Sequence, residues 1–396
     1  MAIIVQKYGG TSVRDIEHIK LVAGRIKQSY IAGNDMIVVV SARAGVTNNL
    51  LHMANTISSA PSPAEVDTLL CTGEQETAAL LAIALQNIGI KATARLGYQI
   101  GIHTCDTHGN ARIHYIDGGD IEELLNNRTV VVVAGFQGIS DNGRLTTLGR
   151  GGSDLTALAL AHRFHADHCE IFTDVDGVFT GDPNTIQHAR LIPNIDFESL
   201  LRLSFFDNKI MQDRSIAFAQ KHNIPFSISH SCQNSKGTHV TNKLSQYEDE
   251  IIGITSKTGL SLLTCYSRNN CANEMLSFFQ SQNINVSFIK HRKIPVKNYV
   301  DELCLQHEDF TSSQQTFFDT FSNSIISHNI HHELSRIDIV GTNVQCNKHL
   351  PCIFNMMKNY DIIRLEYGKH GLSFLVKNIF YKHLINSIHD IIFCNA

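Results

Sequence analysis

The chain has 396 residues, of which 43% are hydrophobic and 18% charged, and its formal net charge is -4. A length beyond the reach of one hydrophobic core predicts two or three domains, and the near-neutral balance excludes a general attraction to nucleic acid or acidic lipid. Ten scattered cysteines without a CxxC pair, no basic leader after Met1 and no apolar run of spanning length predict free thiols and a cytoplasmic location away from membranes.

The first apolar run of strand length, 3–8, ends in Lys7-Tyr8-Gly9-Gly10-Thr11-Ser12, and helical character follows from about Ile16. Glycines here let backbone N–H groups approach phosphate oxygens, with Lys7 as a point charge and Ser12 as a hydroxyl donor; an ordinary turn fits the same residues. Further strand-length runs at 36–41, 130–134, 169–173 and 226–229 alternate with helix-length segments at 74–86 and 154–164. This alternation predicts an α/β fold whose largely parallel sheet is covered on both faces.

A denser loop, Thr146-Thr147-Leu148-Gly149-Arg150-Gly151-Gly152-Ser153-Asp154, opens directly into a run from Leu155 to Ala161 with helical composition. Ser153 or Asp154 is expected to cap that helix, and the unpaired amides of its first turn would make an anion site. Arg150 among three glycines can clamp a carboxylate bidentately. The next cluster holds Thr173, Asp174, Asp176, Phe179, Asp182 and Pro183 behind a strand. Its carboxylates lack EF-hand spacing, which leaves contacts to ribose hydroxyls or plain turn chemistry.

Of the 26 glycines, only Gly259, Gly341, Gly368 and Gly371 lie beyond Gly253, so the tight loops belong to the first part of the chain. The rest runs strand, helix, strand, strand, helix at 260–266, 274–282, 286–290, 299–306 and 312–322, then repeats at 336–340, 350–359, 362–367, 372–376 and 380–389, with a last strand expected at 391–394. Two small α+β units are predicted, with the polar stretch 233–249 as the boundary. The 21 histidines lack ligand spacing, His331-His332-Glu333 alone makes no site, and no side chain is assigned to a metal.

Taken together, these residues resemble the aspartate kinases of the amino-acid kinase family. The resemblance rests on Val5-Gln6-Lys7-Tyr8-Gly9-Gly10-Thr11-Ser12-Val13, Val40-Ser41-Ala42, Cys71-Thr72-Gly73-Glu74, the Thr146 to Asp154 loop and Thr173 to Pro183, in that order. His108-Gly109-Asn110-Ala111-Arg112-Ile113 and Ala134-Gly135-Phe136-Gln137-Gly138 are similar to short-form enzymes without a fused dehydrogenase. It implies a three-layer amino-acid kinase fold over 1–242, a linker at 243–253, and ACT-like units at 254–330 and 331–396 that can interleave.

It also implies roles. Lys7, Gly9, Gly10 and Ser12 would hold the ATP phosphates, joined from the far side by Lys209; Thr173, Asp174, Phe179 and Asp182 would line the nucleotide. Arg150 would take the α-carboxylate of L-aspartate and Glu74 its ammonium, with Ser41, Thr47, Gly151, Gly152 and Ser153 completing the pocket. Asp154 would organise the phosphate groups or Mg2+, which makes Lys7, Asp154 and Lys209 the expected catalytic set. The nucleophile, a β-carboxylate of pKa about 3.9, is ionised at neutral pH, so no catalytic base is needed.

Departures are present. Phe206-Asp207-Asn208-Lys209 stands where the family has Gly-Ala before its distal lysine, and Asn184 follows Asp182-Pro183 where an arginine is common. Arg268-Asn269-Asn270-Cys271 and Asn343-Val344-Gln345-Cys346 replace the Pro-Gly turns that bind effectors in ACT modules. The resemblance therefore implies homo-oligomerisation through the C-terminal units more firmly than control by lysine or threonine. A catalytically weakened paralogue serving as a regulatory subunit is the alternative; other amino-acid kinases, acting on acetylglutamate, carbamate, glutamate or a nucleotide, lack the Thr-Gly-Glu and Gly-Arg-Gly-Gly-Ser-Asp combination.

Overall fold

The computed structural model describes residues 1–394 apart from 207–210, 234, 243–250, 283, 295–297 and 369. It divides into two compact units, one of Met1–Phe179 with Leu191–Gln246 and one of Thr180–Arg190 with Tyr247–Ala396.

The first unit opens with β1 (Ile3–Tyr8), α1 (Ile16–Ile31), β2 (Asp35–Val40), α2 (Val46–Ile57) and the long α3 (Pro63–Asn87). Then come β3 (Ala92–Arg95), β4 (Ile102–Thr104), β5 (Ile113–Ile116), α4 (Ile121–Asn126), β6 (Val130–Ala134), β7 (Gln137–Ser140) and β8 (Leu145–Thr147). It closes with α5 (Gly152–Arg163), β9 (His168–Thr173), β10 (Asn194–Asp196), α6 (Phe197–Phe206), α7 (Asp213–His222), β11 (Phe226–His230) and β12 (Thr238–Thr241).

Eight of these strands form one sheet in the order β10-β12-β11-β9-β1-β2-β6-β3, parallel except where β12 meets β11. Its inner strands are buried on both sides, β6 completely, which is why they are continuous apolar runs rather than alternating ones. On one face α1 and α3 bring Val22, Ile26, Leu81 and Leu85 against Ile4, Tyr8, Val38, Val132 and Phe172. From β1 the chain moves outward to β2 on one side and later returns to place β9 on the other, so the winding reverses at β1. Ligand crevices of open α/β sheets form beyond the carboxyl ends of strands at such a reversal. A small sheet, β5-β4-β7-β8, leads into the 146–152 loop.

The second unit contains β13 (Ile251–Ser267), α8 (Ala272–Ser281), β14 (Val286–Ile294), β15 (Asn298–Gln306), α9 (His307–Thr320), β16 (Ile325–Gly341), α10 (Leu350–Met357), β17 (Ile362–Gly368), β18 (Gly371–Lys377) and α11 (Asn378–Phe393). All six strands join one antiparallel sheet, β14-β15-β13-β16-β18-β17. β13 and β16 are shared between the two repeats. The later part of β13 pairs with β15, and the Arg336 to Val340 part of β16 pairs with β18. The register slips between Lys257 and Leu262, where Gly259 (φ 70) and Glu333 (φ 54) take left-handed backbone.

This interleaving corrects three expectations. Ile391 and Ile392 finish α11 instead of forming a strand. The second repeat takes its fourth strand from the start of β13, where Ile254 pairs with Ile339 and Ser256 with Ile337. Residues 251–253, expected as linker, are therefore sheet. Within the expected catalytic span, Thr180–Arg190 packs with the second unit: Ile186 is buried in its core, and Thr180 O accepts a hydrogen bond from Ile254 N at 2.8 Å. No helix among the described residues is long and apolar enough to cross a membrane.

Candidate active site

β1 carries Lys7 to the carboxyl edge of the sheet, and Gly10–Val13 forms a 3-10 turn beyond it. Lys7 Nζ lies 2.6 Å from Asp154 Oδ1, with the two side chains 11% and 14% exposed. Both charges are thus largely withdrawn from water and fixed against each other. Gly9 N donates to Phe172 O at 3.2 Å, tying the turn to β9. Gly10 must lack a side chain, because a Cβ there would lie 2.7 Å from Ala42 O. The close approach is sealed by Ala44 N donating to Gly10 O at 3.1 Å. Ser12 Oγ, in the same turn, is buried without a hydrogen-bond partner among the described residues.

α3 starts eleven residues before the segment expected from Glu74 onward, because Pro63 suits the first helical position and an apolar stripe recurs at Leu70, Ala78, Leu81 and Leu85. Glu74 therefore sits in mid-helix and is 3% exposed. Its Oε1 accepts from Ala42 N at 2.9 Å, while Oε2 is buried with no partner among the described residues. Burial pushes this carboxyl up to about 7, opposed by the hydrogen bond from Ala42. Residues 41–44 thus bridge Gly10 on one side and Glu74 on the other, and Ser41 is half-buried within them. Thr47, also half-buried, lies in the first turn of α2.

α5 begins at Gly152 behind a left-handed Gly151 (φ 70), so neither Ser153 nor Asp154 caps it; both stand inside its first turn, and no side chain caps the helix. The expectation of a capping serine or aspartate is corrected by glycine's tolerance for that backbone. In that first turn Gly152 N donates to Gly149 O at 2.9 Å, while Ser153 N and Asp154 N bond to no described residue. Gly151 and Gly152 are both tightly enclosed, since Cβ atoms there would lie 2.5 Å from Gln212 Cγ and 2.8 Å from Phe136 Cδ2. Ser153 is buried against Gly135 at the end of β6. Arg150 is exposed and makes no hydrogen bond or ion pair to a described residue.

Thr173 closes β9 next to β1, its Oγ1 donating to Asp174 Oδ1 at 3.1 Å, and Phe179 bridges Leu191. Asp182 belongs instead to the second unit, where its Oδ1 accepts from Asn184 N at 2.9 Å and Nδ2 at 3.1 Å. One oxygen of its carboxylate thus serves turn chemistry, the competing possibility for that cluster. Lys209 and Asp207 lie outside the described residues.

Two polar residues of the same region escaped sequence reasoning. Asp67, 1% exposed on α3, accepts from Thr147 N (3.0 Å), Thr147 Oγ1 (2.5 Å) and Gly109 N (3.0 Å), and lies 2.8 Å from His108 Nδ1. Arg214 of α7 donates to Leu148 O at 2.8 Å, Asn110 Oδ1 at 2.7 Å and Ala111 O. The available signal was the seven-residue interval from Asp67 to Glu74, which places two acids on one helix face. Among the described residues one metal-capable group converges, His188, Asp390 and Cys394 of the second unit. An Arg190 guanidinium nitrogen 3.7 Å from Cys394 Sγ opposes a cation there.

Residues 2–230 match the amino acid kinase family. The chain is 37% identical over 399 residues to an aspartokinase of Geobacillus stearothermophilus, covering 98% of this chain and 97% of that one. It is 48% identical over 241 residues to an aspartokinase of Pseudomonas aeruginosa, 61% of this chain and 58% of that protein. Among solved structures, E. coli aspartokinase III in complex with lysine and aspartate (T-state) superposes with a TM-score of 0.82 at 25% identity, covering 99% of each chain. A match of this extent, on a site whose Lys7, Asp154 and Glu74 are assembled at one sheet edge, places the chain in the amino acid kinase family, among its aspartokinases.

Proposed function

We propose that this chain transfers the γ-phosphoryl group of ATP to the β-carboxylate of L-aspartate, giving ADP and 4-phospho-L-aspartate, the entry step to the aspartate-derived amino acids. The observation that carries the reading is the pair of buried, unpartnered oxygens, Ser12 Oγ and Glu74 Oε2, either side of residues 41–44. One is a donor suited to phosphate and the other an acceptor suited to an ammonium.

Phosphoryl transfer asks mainly for positioning and charge neutralisation. Lys7 neutralises phosphate charge, with its ammonium held in place by Asp154 at 2.6 Å. The Gly10 amide and the Ser153 and Asp154 amides of α5 would donate to phosphate oxygens, and Lys209 is proposed to reach them from the far side. Thr173, Asp174 and Phe179 line the nucleotide. Arg150, with an unpaired guanidinium at the rim, takes the α-carboxylate, and Glu74 takes the α-ammonium, which leaves the β-carboxylate for attack. Ser41, Thr47, Gly151, Gly152 and Ser153 shape the space around it.

Magnesium fits this donor set: Mg2+ is held chiefly by phosphate oxygens and water with one or two carboxylates, and Asp154 is the acid beside Lys7. When bound it would neutralise charge on the transferring group. The second unit is proposed as the site of self-association and of any response to lysine or threonine. Retention of Lys7, Glu74, Arg150 and Asp154 supports an active enzyme over a weakened paralogue. Trapping the acyl phosphate with hydroxylamine tests the reaction: hydroxamate should form with aspartate and not with glutamate or acetylglutamate. ATP binding without aspartate-dependent hydroxamate would overturn it.

A further inference from the structure

The motif from His108 to Ile113 has no part in the chemistry above, yet it packs directly behind the loop that carries Arg150. Ala111 N donates to Thr147 O at 2.9 Å. A Cβ on Gly149 would lie 3.2 Å from Gly109 O and 3.0 Å from Asn110 Oδ1, so the two loops approach closely through both backbone and side chain. Two charged side chains rivet the contact. From one side Asp67 accepts from Gly109 N, Thr147 N and Thr147 Oγ1 and pairs with His108. From the other, Arg214 donates to Asn110 Oδ1, Leu148 O and Ala111 O.

Asp67 is also joined covalently to the other end of the substrate site. It lies seven residues before Glu74 on α3, two turns and about 10 Å along one buried face. A carboxylate oxygen accepts only, and both oxygens of Asp67 are engaged by donors held on rigid backbone. We propose that Asp67, braced by His108 and Arg214, is a positioning residue for the amino-acid substrate: through Thr147 it fixes Arg150 relative to Glu74. This rests on the reading of Arg150 and Glu74 as the carboxylate and ammonium anchors.

The test is steady-state kinetics of Asp67→Asn and Thr147→Val in the full chain, alone and combined with Arg150→Ala. An asparagine turns an N–H2 toward at least one backbone donor, so the loop is released without change of side-chain volume. Asp67→Asn should raise the aspartate KM about tenfold or more while the ATP KM stays within about twofold, and Thr147→Val should do the same more weakly. In the Arg150→Ala background neither should raise the aspartate KM further, because the group they position is gone. Should Asp67→Asn not fold, Thr147→Val carries the same comparison. Equal rises in both KM values, an unchanged aspartate KM, or full additivity with Arg150→Ala would each overturn the proposal. If Arg150→Ala itself leaves the aspartate KM unaltered, the underlying anchor assignment fails instead, and the two failures are told apart by that single variant.

Discussion

Asp67 and Glu74 share one buried face of α3, but Asp67 engages both oxygens with donors while Glu74 leaves Oε2 without any. The first is a finished structural contact; the second has one oxygen that no described residue engages. That difference makes Glu74 the group through which pH should act on the ligand-free protein.

Burial raises the Glu74 carboxyl from 4.5 to about 7. The folded state then holds a proton that the unfolded state releases between those values, so this group's contribution to stability falls as pH rises through the window and levels off above it. Without substrate, Glu74→Gln should match the parent in thermal denaturation near pH 5 and exceed it at pH 8. An ammonium needs the ionised form, so the parent's aspartate KM should climb as pH drops below 7, and that dependence should vanish in Glu74→Gln. Parallel pH profiles for the two proteins would remove Glu74 from the site.

Lys7 and Asp154 are largely buried partners at 2.6 Å, and deleting one strands the other. Lys7→Ala and Asp154→Ala should each lower kcat/KM by at least about two decades and cost about 3 kcal/mol in denaturant unfolding. A Lys7→Met/Asp154→Leu double variant should recover most of the stability and none of the activity. Recovery of turnover in the double variant would show that the pair is structural.

Arg150 presents the opposite case, an exposed side chain with no hydrogen-bond or ion-pair partner among the described residues. Arg150→Ala should leave stability within about 0.5 kcal/mol, yet reduce kcat/KM for aspartate by about two decades or more with the ATP KM preserved. Isothermal titration with aspartate checks the assignment independently of turnover.

In the second unit, His389 is fully buried, its Nε2 2.8 Å from Thr180 Oγ1, and burial lowers its pKa below the ordinary 6.5. Here the unfolded chain takes up the proton first, so stability should decline as pH falls below about 6.5. His389→Phe keeps a ring in place and should flatten that acid limb, read from thermal unfolding between pH 7 and pH 5. An acid limb unchanged in the variant would assign it to other groups.

Much of the first unit was legible because its chemistry is local. A continuous apolar run such as Val130–Ala134 admits little but a buried strand, and a glycine loop followed by Leu155 to Ala161 announces the start of a helix. Cap identity was not legible: Ser153 and Asp154 are good capping residues, but Gly151 could adopt the left-handed backbone that starts the helix two residues sooner. Asp67 escaped because a lone acid in a polar-looking segment acquires meaning only when Thr147, eighty positions away, arrives beside it. The strand at Ile251 was hidden for a related reason. It follows a polar stretch, so a short apolar run looked like a tether, and its pairing, Ile251 with Gly341 and Ile254 with Ile339, reaches beyond an entire intervening repeat. Asp182 is ambiguous in sequence for the opposite reason, since the donors on its Oδ1 are those of Asn184, two positions away.

The borrowed strand at the start of β13 limits how this protein can be taken apart. A fragment cut between the two repeats would leave the later one missing an edge and the earlier one carrying an orphan strand, so neither half is a portable module. Ile186 extends the constraint upstream, since its side chain fills the same core from within the first part of the sequence. Grafting this second unit onto another protein therefore means moving residues 251–393 in one piece together with the 180–190 excursion, or redesigning the surface that each would otherwise expose.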